Sequence, residues 1–182
     1  MNKIIALLFL LVNFSNLKIA STQLTTNQGQ VSFFSYTSVE NIEAKNNQVL
    51  SVVDLSKNEI AISMLMNAFV FKKALMQEHF NESYIESDLY PKAVFEGEIL
   101  DFDPTVTTPQ IKLIKGILTM RGIAKEVEVK TNITMENNAY VFTGTFDLVV
   151  KDFDINIPPL LVPNIAKTIA AKFRFEYPTD EK

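Results

Sequence analysis

An apolar pattern with a period of two residues is the feature that most constrains the fold of this chain. In residues 127–135, from Val127 to Met135, apolar residues or threonine alternate with charged or polar residues. Side chains of a β-strand point alternately to opposite faces, so this stretch predicts a strand with one dry and one wet face. The same alternation recurs in residues 140–148 and 169–177. Several long strands of this kind can close around a shared apolar interior, and the content of that interior becomes the functional question.

The rest of the pattern predicts an all-β protein with one short helix. We expect strands at 31–36, 41–47, 49–55, 59–66, 92–99, 111–120, 126–135, 139–150 and 165–177. Residues 71–80 break the period of two and place Phe71, Ala74 and Leu75 at helical spacing. Eight or nine strands with hairpin-like connections favour an antiparallel barrel or sandwich. An eight-stranded barrel has a lumen just wide enough for one small apolar ligand.

The first 21 residues differ in character from the remainder. Lys3 precedes an unbroken apolar run from Ile4 to Val12, and residues 13–21 then turn polar and small. This order is typical of a secretory signal peptide, and the run is too short to span a bilayer as a helix. We therefore expect residues 1–21 to be removed and residues 22–182 to form one periplasmic or secreted domain. No stable membrane insertion is expected after cleavage.

Composition argues against several classes of function. The formal net charge is -4 and no basic stripe is present, so nucleic-acid binding is not expected. His79 is the single histidine and there is no cysteine, so neither a metal site nor a catalytic constellation is predicted. The acidic pairs Asp101/Asp103 and Asp152/Asp154 are interpreted as loop and turn residues, because they lack the ligand number that Ca²⁺ prefers.

From the pattern alone, a hollow barrel and a filled one remain equally open.

Three segments then carry a family resemblance. Residues 74–97 contain a His-Phe pair ahead of a Tyr-Pro-x-x-x-Phe strand start, and residues 116–127 read Gly-x-Leu-Thr-x-x-Gly-x-x-Lys-x-Val. Residues 151–155 are similar to an Arg-x-x-Phe-Gly-Ile element, with lysine for the arginine and aspartate for the glycine. In order and spacing these segments cover most of residues 30–177 and resemble the YceI-like family.

The resemblance implies a lipocalin-like antiparallel β-barrel of about eight strands in a secreted or periplasmic bacterial protein. Some members of that family hold a polyisoprenoid chain in the lumen, so it also implies binding rather than catalysis. Our first hypothesis is a non-enzymatic binding protein for an apolar small molecule such as a polyisoprenoid, an isoprenoid quinone or another lipid. No cofactor is expected beyond such a molecule, and a homodimer is compatible with this reading.

The predicted lining of the cavity comes from the inward faces of the strands and from a helical lid. The strand residues are Phe33, Ile62, Met64, Phe95, Val127, Val129, Ile133, Phe142, Phe146, Phe173 and Phe175. The lid residues are Phe71, Leu75 and Phe80.

Two alternatives remain open at this point. The first is a stress-linked or interaction protein with a filled barrel, which would meet a partner through the Pro158–Pro163 segment and exposed Leu160, Leu161 and Val162. The second is a hydrolase that uses His79, for which the sequence supplies no partner residues.

Overall fold

The computed structural model describes residues 22–36, 41–155, 157 and 166–179. The described strands are β1 (Gln23–Ser35), β2 (Ile42–Asp54), β3 (Glu59–Leu65), β4 (Val70–Phe71), β5 (Lys92–Ile99), β6 (Gln110–Met120), β7 (Ile123–Glu136), β8 (Ala139–Val149) and β9 (Thr168–Pro178). The α-helix α1 (Ala74–His79) continues into a π-helical turn at Phe80–Tyr84. Short 3₁₀ turns occur at Met66–Ala68 and Val150–Phe153.

Eight of these strands close into an antiparallel barrel. Neighbours pair in the order β1-β9-β8-β7-β6-β5-β3-β2, and β1 pairs with β2 to complete the ring. The short strand β4 lies outside this ring and pairs with the beginning of β2, where Phe71 is opposite Ala44. Closure gives every strand of the ring a partner on both sides over at least part of its length, which limits the exposed strand edges that favour aggregation. The expected antiparallel barrel with one short helix is confirmed.

The first two strands are longer than the sequence pattern predicts. β1 begins at Gln23 rather than residue 31, and β2 runs without a break through Asn46. Asn46 is fully buried, and its amide donates to the carbonyl of Leu65 at 2.9 Å while its side-chain oxygen accepts from the backbone N–H of Gln48 at 2.9 Å. A buried amide with both ends bonded is tolerated inside a strand. The predicted break between the strands at 41–47 and 49–55 is therefore wrong.

The bounds of the helical segment and of the hairpins are set by local backbone angles. α1 begins at Ala74 rather than residue 71, because Lys73 has extended backbone angles and Phe71 belongs to β4. The predicted strand start at Lys92 is confirmed. Arg121-Gly122 and Asn137-Asn138 all have positive φ, as in the two-residue type I′ turns that suit the twist of a hairpin. β7 therefore starts at residue 123, directly after its turn.

Two predicted features fall outside the described residues. They are the signal peptide at residues 1–21 and the exposed Leu160, Leu161 and Val162 of the Pro158–Pro163 segment. Both stay predictions.

Packed aromatic side chains close the end of the barrel opposite α1. The ring centroid of Phe142 lies 5.1 Å from that of Tyr177 and 6.2 Å from that of Phe102. The hydroxyl of Tyr177 lies 2.7 Å from that of Ser51, which donates to the carbonyl of Ala61 at 3.2 Å. Because Ser51 has one proton, Tyr177 is the donor in the first of these bonds. Tyr177 and Ser51 are both fully buried, so this chain of bonds fixes β2, β3 and β9 at the closed end.

Replacement of Tyr177 by Phe tests this buried chain and its pH dependence. Burial raises the pKa of Tyr177, so the folded state keeps a proton that the unfolded state loses above about pH 10. The free energy of unfolding therefore falls as the pH rises past that point. We expect Tyr177→Phe to lower the unfolding free energy by about 1 kcal/mol at neutral pH and to flatten its alkaline decline. Urea unfolding at several pH values measures both effects. The exposed Tyr36→Phe is the control, and equal alkaline slopes for wild type and Tyr177→Phe would contradict the assignment.

Candidate ligand-binding cavity

Two adjoining cavities lie inside the barrel between the closed end and α1. The larger has a volume of about 350 Å³ and the smaller about 60 Å³. Both are lined by Val31, Met64, Leu118 and Phe146, so these four side chains form a waist between them. The larger cavity extends to α1, where the exposed His79 is part of its lining. Its volume falls within the range of roughly 300–1,000 Å³ that is typical of small-molecule sites.

A cluster of phenylalanine rings holds the β4–α1 segment over the larger cavity. The ring centroid of Phe33, on β1, lies 5.5 Å from Phe69, 5.8 Å from Phe71 and 5.6 Å from Phe80. Phe71 and Phe80 are themselves 5.0 Å apart. Aromatic pairs at these distances add attraction beyond the burial of their area. The segment that covers the cavity is therefore attached to the barrel wall by the same side chains that line it.

The lower wall of the lumen is built from phenylalanine rings that lie against glycines. A Cβ added at Gly144 would lie 2.6 Å from the ring of Phe173, and one added at Gly116 would lie 2.7 Å from the ring of Phe95. Gly29 has the same relation to Phe175, at 2.4 Å. No real Cβ fits at such distances, so each ring occupies the space that a side chain would take. The rings consequently lie along the wall, and the cavity that they line has a volume of about 60 Å³.

Most of the predicted lining residues are brought together by the structure. The larger cavity is lined by Phe33, Met64, Phe71, Phe80 and Phe146, and the smaller by Ile62, Met64, Phe95, Val127, Val129, Phe146, Phe173 and Phe175. Ile133 and Phe142 are buried at the closed end and line neither cavity. The prediction for Leu75 has to be corrected: it lies on the outer face of α1 with 60% of its surface exposed.

The sequence reasoning missed several residues that line the larger cavity. Those on strands are Val31, Ser35, Ile42, Ala93, Leu118, Met120, Leu148, Ile169 and Ala171. Those on turns and other connecting segments, including α1, are Met66, Phe69, Met76, His79, Tyr84, Ile85, Val150 and Ile155. The period-two pattern already marked Leu148, Ile169 and Ala171 as one-sided positions, so that signal could have found them. The connecting residues carry no such periodicity.

Among the described residues, the cavity lining is almost wholly apolar and carries no carboxylate, lysine or arginine. Only Ser35, His79 and Tyr84 contribute polar side chains, all to the larger cavity. Within the described ranges, no group of His, Cys, Asp or Glu side chains could hold a metal ion. A search of those same ranges also finds no helix with the length and apolarity needed to cross a membrane.

Arg121 connects three segments around the end of the barrel that α1 covers. Its guanidinium donates to the carboxylate of Glu86 and to the backbone carbonyls of Phe153 and Asp154, and it lies 5.7 Å from the ring centroid of Tyr90. The side chain is only 14% exposed. Residues adjacent to its partners, such as Ile85 and Ile155, line the larger cavity. Arg121 therefore fixes the position of the segments that form the rim.

The barrel and its apolar cavity define the class of protein: a closed antiparallel β-barrel with an open volume inside it. Comparison with known families then identifies the chain: a model described as "YceI-like domain" matches residues 15–177, and the chain belongs to that family. The resemblance seen in its three sequence segments is confirmed.

Solved structures share the fold at low sequence identity. A polyisoprenoid-binding domain from Saccharophagus degradans, described as implicated in plant cell wall breakdown, is 10% identical with a TM-score of 0.73, and the match covers 86% of this chain and 98% of that one. BcnA from Burkholderia cenocepacia is 16% identical with a TM-score of 0.69, over 81% and 95%. A YCEI protein from Campylobacter jejuni is 12% identical with a TM-score of 0.63, over 81% and 90%. Among curated proteins, none matches this sequence.

The contact between Gly144 and Phe173 can be tested by a double-mutant cycle. An alanine methyl at residue 144 meets the Phe173 ring, so we expect Gly144→Ala to lower the unfolding free energy by about 1–3 kcal/mol. In a Phe173→Leu background the ring is absent and the same change should cost clearly less. Chemical denaturation of the four proteins measures the coupling. Additive effects on the unfolding free energy would show that the packing of the Phe173 ring does not depend on a glycine at residue 144.

Replacement of Arg121 by Met tests its role at the rim, because Met keeps the apolar stem and removes every hydrogen bond. Loss of the guanidinium leaves the Glu86 carboxylate without its partner, so we expect a loss of about 1–3 kcal/mol in unfolding free energy. We also expect faster hydrogen exchange in residues 84–90. Arg174→Met, on an exposed ion pair with Glu176, is the matched control and should change stability little. Unchanged exchange in residues 84–90 would contradict the role of Arg121.

Proposed function

We propose that this protein is a non-catalytic binding protein that holds an apolar chain, such as a polyisoprenoid, an isoprenoid quinone or another lipid, inside its barrel. The observation that carries the proposal is the cavity of about 350 Å³ with an apolar lining. Burial of a chain in such a site gains about 0.8 kcal/mol per methylene, before the ordering costs of association. The polyisoprenoid-binding description of a structural relative supports the same class of ligand.

The alternative of a filled barrel receives less support. The inward-facing phenylalanines lie against glycines instead of across the lumen, and an open volume remains above them. Catalysis by His79 also lacks support, because no hydrogen bond or ion pair joins it to another side chain in the described part of the protein. A binding function requires an open apolar cavity, and the structure contains one.

We further propose that the protein acts outside the cytoplasm, in the periplasm or as a secreted protein. The support is the charged, apolar and then polar order of residues 1–21. The intact mass of protein recovered from the exported fraction tests this proposal. Recovery in the cytoplasm alone would overturn it, and a mass that still includes residues 1–21 would overturn the predicted cleavage.

Native mass spectrometry and organic extraction of the purified protein test the binding function directly. We expect either a co-purified apolar molecule or the uptake of an added isoprenoid with one-to-one stoichiometry. A protein that is consistently empty and ignores added isoprenoids would refute the proposal.

Neighbouring alanines on β9 provide a matched pair of variants. Ala171 is 3% exposed and lines the larger cavity, whereas Ala170 points to the opposite face of the strand. Leucine at 171 occupies space that two or three ligand methylenes would use, so we expect Ala171→Leu to weaken binding of an isoprenoid roughly tenfold or more. Ala170→Leu should leave affinity unchanged. Fluorescence titration measures affinity, and thermal unfolding confirms that both variants fold. Equal affinities would place the ligand elsewhere.

A further inference from the structure

The polar groups that line the larger cavity are few and lie toward its covered end. Ser35 is the last residue of β1, and His79 and Tyr84 lie in the helical segment that covers the opening. The other lining side chains are apolar. Within the described part of the chain, a ligand in this cavity can therefore hydrogen-bond to side chains only at this end.

Ser35 and Tyr84 each have a proton available for donation. Ser35 is 2% exposed, and its hydroxyl oxygen accepts from the backbone N–H of Ala166 at 3.1 Å. Its own proton reaches no acceptor among the described residues, and the hydroxyl of Tyr84 has no partner there either. Burial raises the pKa of Tyr84, so this hydroxyl stays protonated at physiological pH. Hydroxyls in a desolvated site gain by meeting an oxygen acceptor and lose when they meet hydrocarbon.

Among the described residues, no lysine or arginine lines the cavity to neutralise an anionic end group. The nearby Lys72 pairs with Glu43 at 3.2 Å, and Arg121 is occupied by Glu86 and two backbone carbonyls. An unpaired carboxylate or phosphate in apolar surroundings is strongly unfavourable.

Resting on the proposed function, we infer that the bound chain ends in a neutral oxygen acceptor, an alcohol or a carbonyl, which receives hydrogen bonds from Tyr84 and Ser35 beneath the helical segment. His79, which lines the same cavity and is exposed, lies where this end group meets solvent. The cavity thereby selects neutral lipids with one polar end over fatty acids and isoprenoid phosphates of the same chain length.

Three probes with a common chain test the inference: farnesol, the hydrocarbon farnesene and farnesyl phosphate. Displacement of the neutral dye Nile red from the protein at about pH 8 measures the affinity for each probe. We expect farnesol to bind most tightly, farnesene roughly three- to tenfold more weakly, and farnesyl phosphate most weakly.

Tyr84→Phe removes one hydroxyl and keeps the ring. We expect it to abolish most of the farnesol advantage while affinity for farnesene is unchanged. Ser35→Ala should act in the same direction, and the exposed Tyr36→Phe is the matched control that should change neither affinity.

The outcomes separate this inference from the function on which it rests. If none of the three probes binds, the proposed function fails. If farnesene and farnesol bind equally, and Tyr84→Phe changes nothing, the function stands and the neutral end group is refuted. Tightest binding of farnesyl phosphate would also refute it.

Discussion

The contact of phenylalanine rings with glycines is the packing arrangement on which the interior of this protein depends. The chain has 14 phenylalanines, and several point into an eight-stranded barrel that is narrow enough for side chains to fill. Three of these rings do not fill the lumen, because each lies against a glycine of a neighbouring strand. They are the rings of Phe95, Phe173 and Phe175. The glycines have no side chain to project inward, and the rings supply the packing that the wall would otherwise lack. An open volume inside the barrel is thus compatible with a wall that is closely packed at these glycines.

The two ends of the barrel are closed by different kinds of contact. At the closed end Tyr177, Phe142 and Ser51 are all fully buried, and their contacts join strands of the barrel itself. At the other end the cover is a segment with only six residues of α-helix, none of them buried. It is held by a few rings and by the bonds of Arg121. Segments with few buried contacts open locally at lower free energy than the core strands. Exchange of a guest is therefore expected through the α1 end.

Sequence reasoning predicted most of the fold because strand faces and hairpin turns are local properties. Gly122 and the Asn137-Asn138 pair specify their turns within two residues. It failed where the outcome depends on distant partners. Asn46 is acceptable in β2 only because the carbonyl of Leu65 meets its amide. Leu75 shows a second limit, since a helix of six residues is too short for its spacing to define a single buried face.

Strand periodicity also gives the face of a residue but not its height along the barrel. Ile133 and Phe142 point inward as expected, yet they lie opposite each other at the closed end, where Phe102 from a loop fills the space. Whether an inward residue touches a guest is decided by what else packs at its level. The waist of the lumen illustrates the same point. Met64 contributes to both cavities, and its unbranched side chain can change rotamer at low energetic cost. The length of chain that the proposed site would accommodate therefore depends on side-chain rotamers at the waist as much as on the backbone of the barrel.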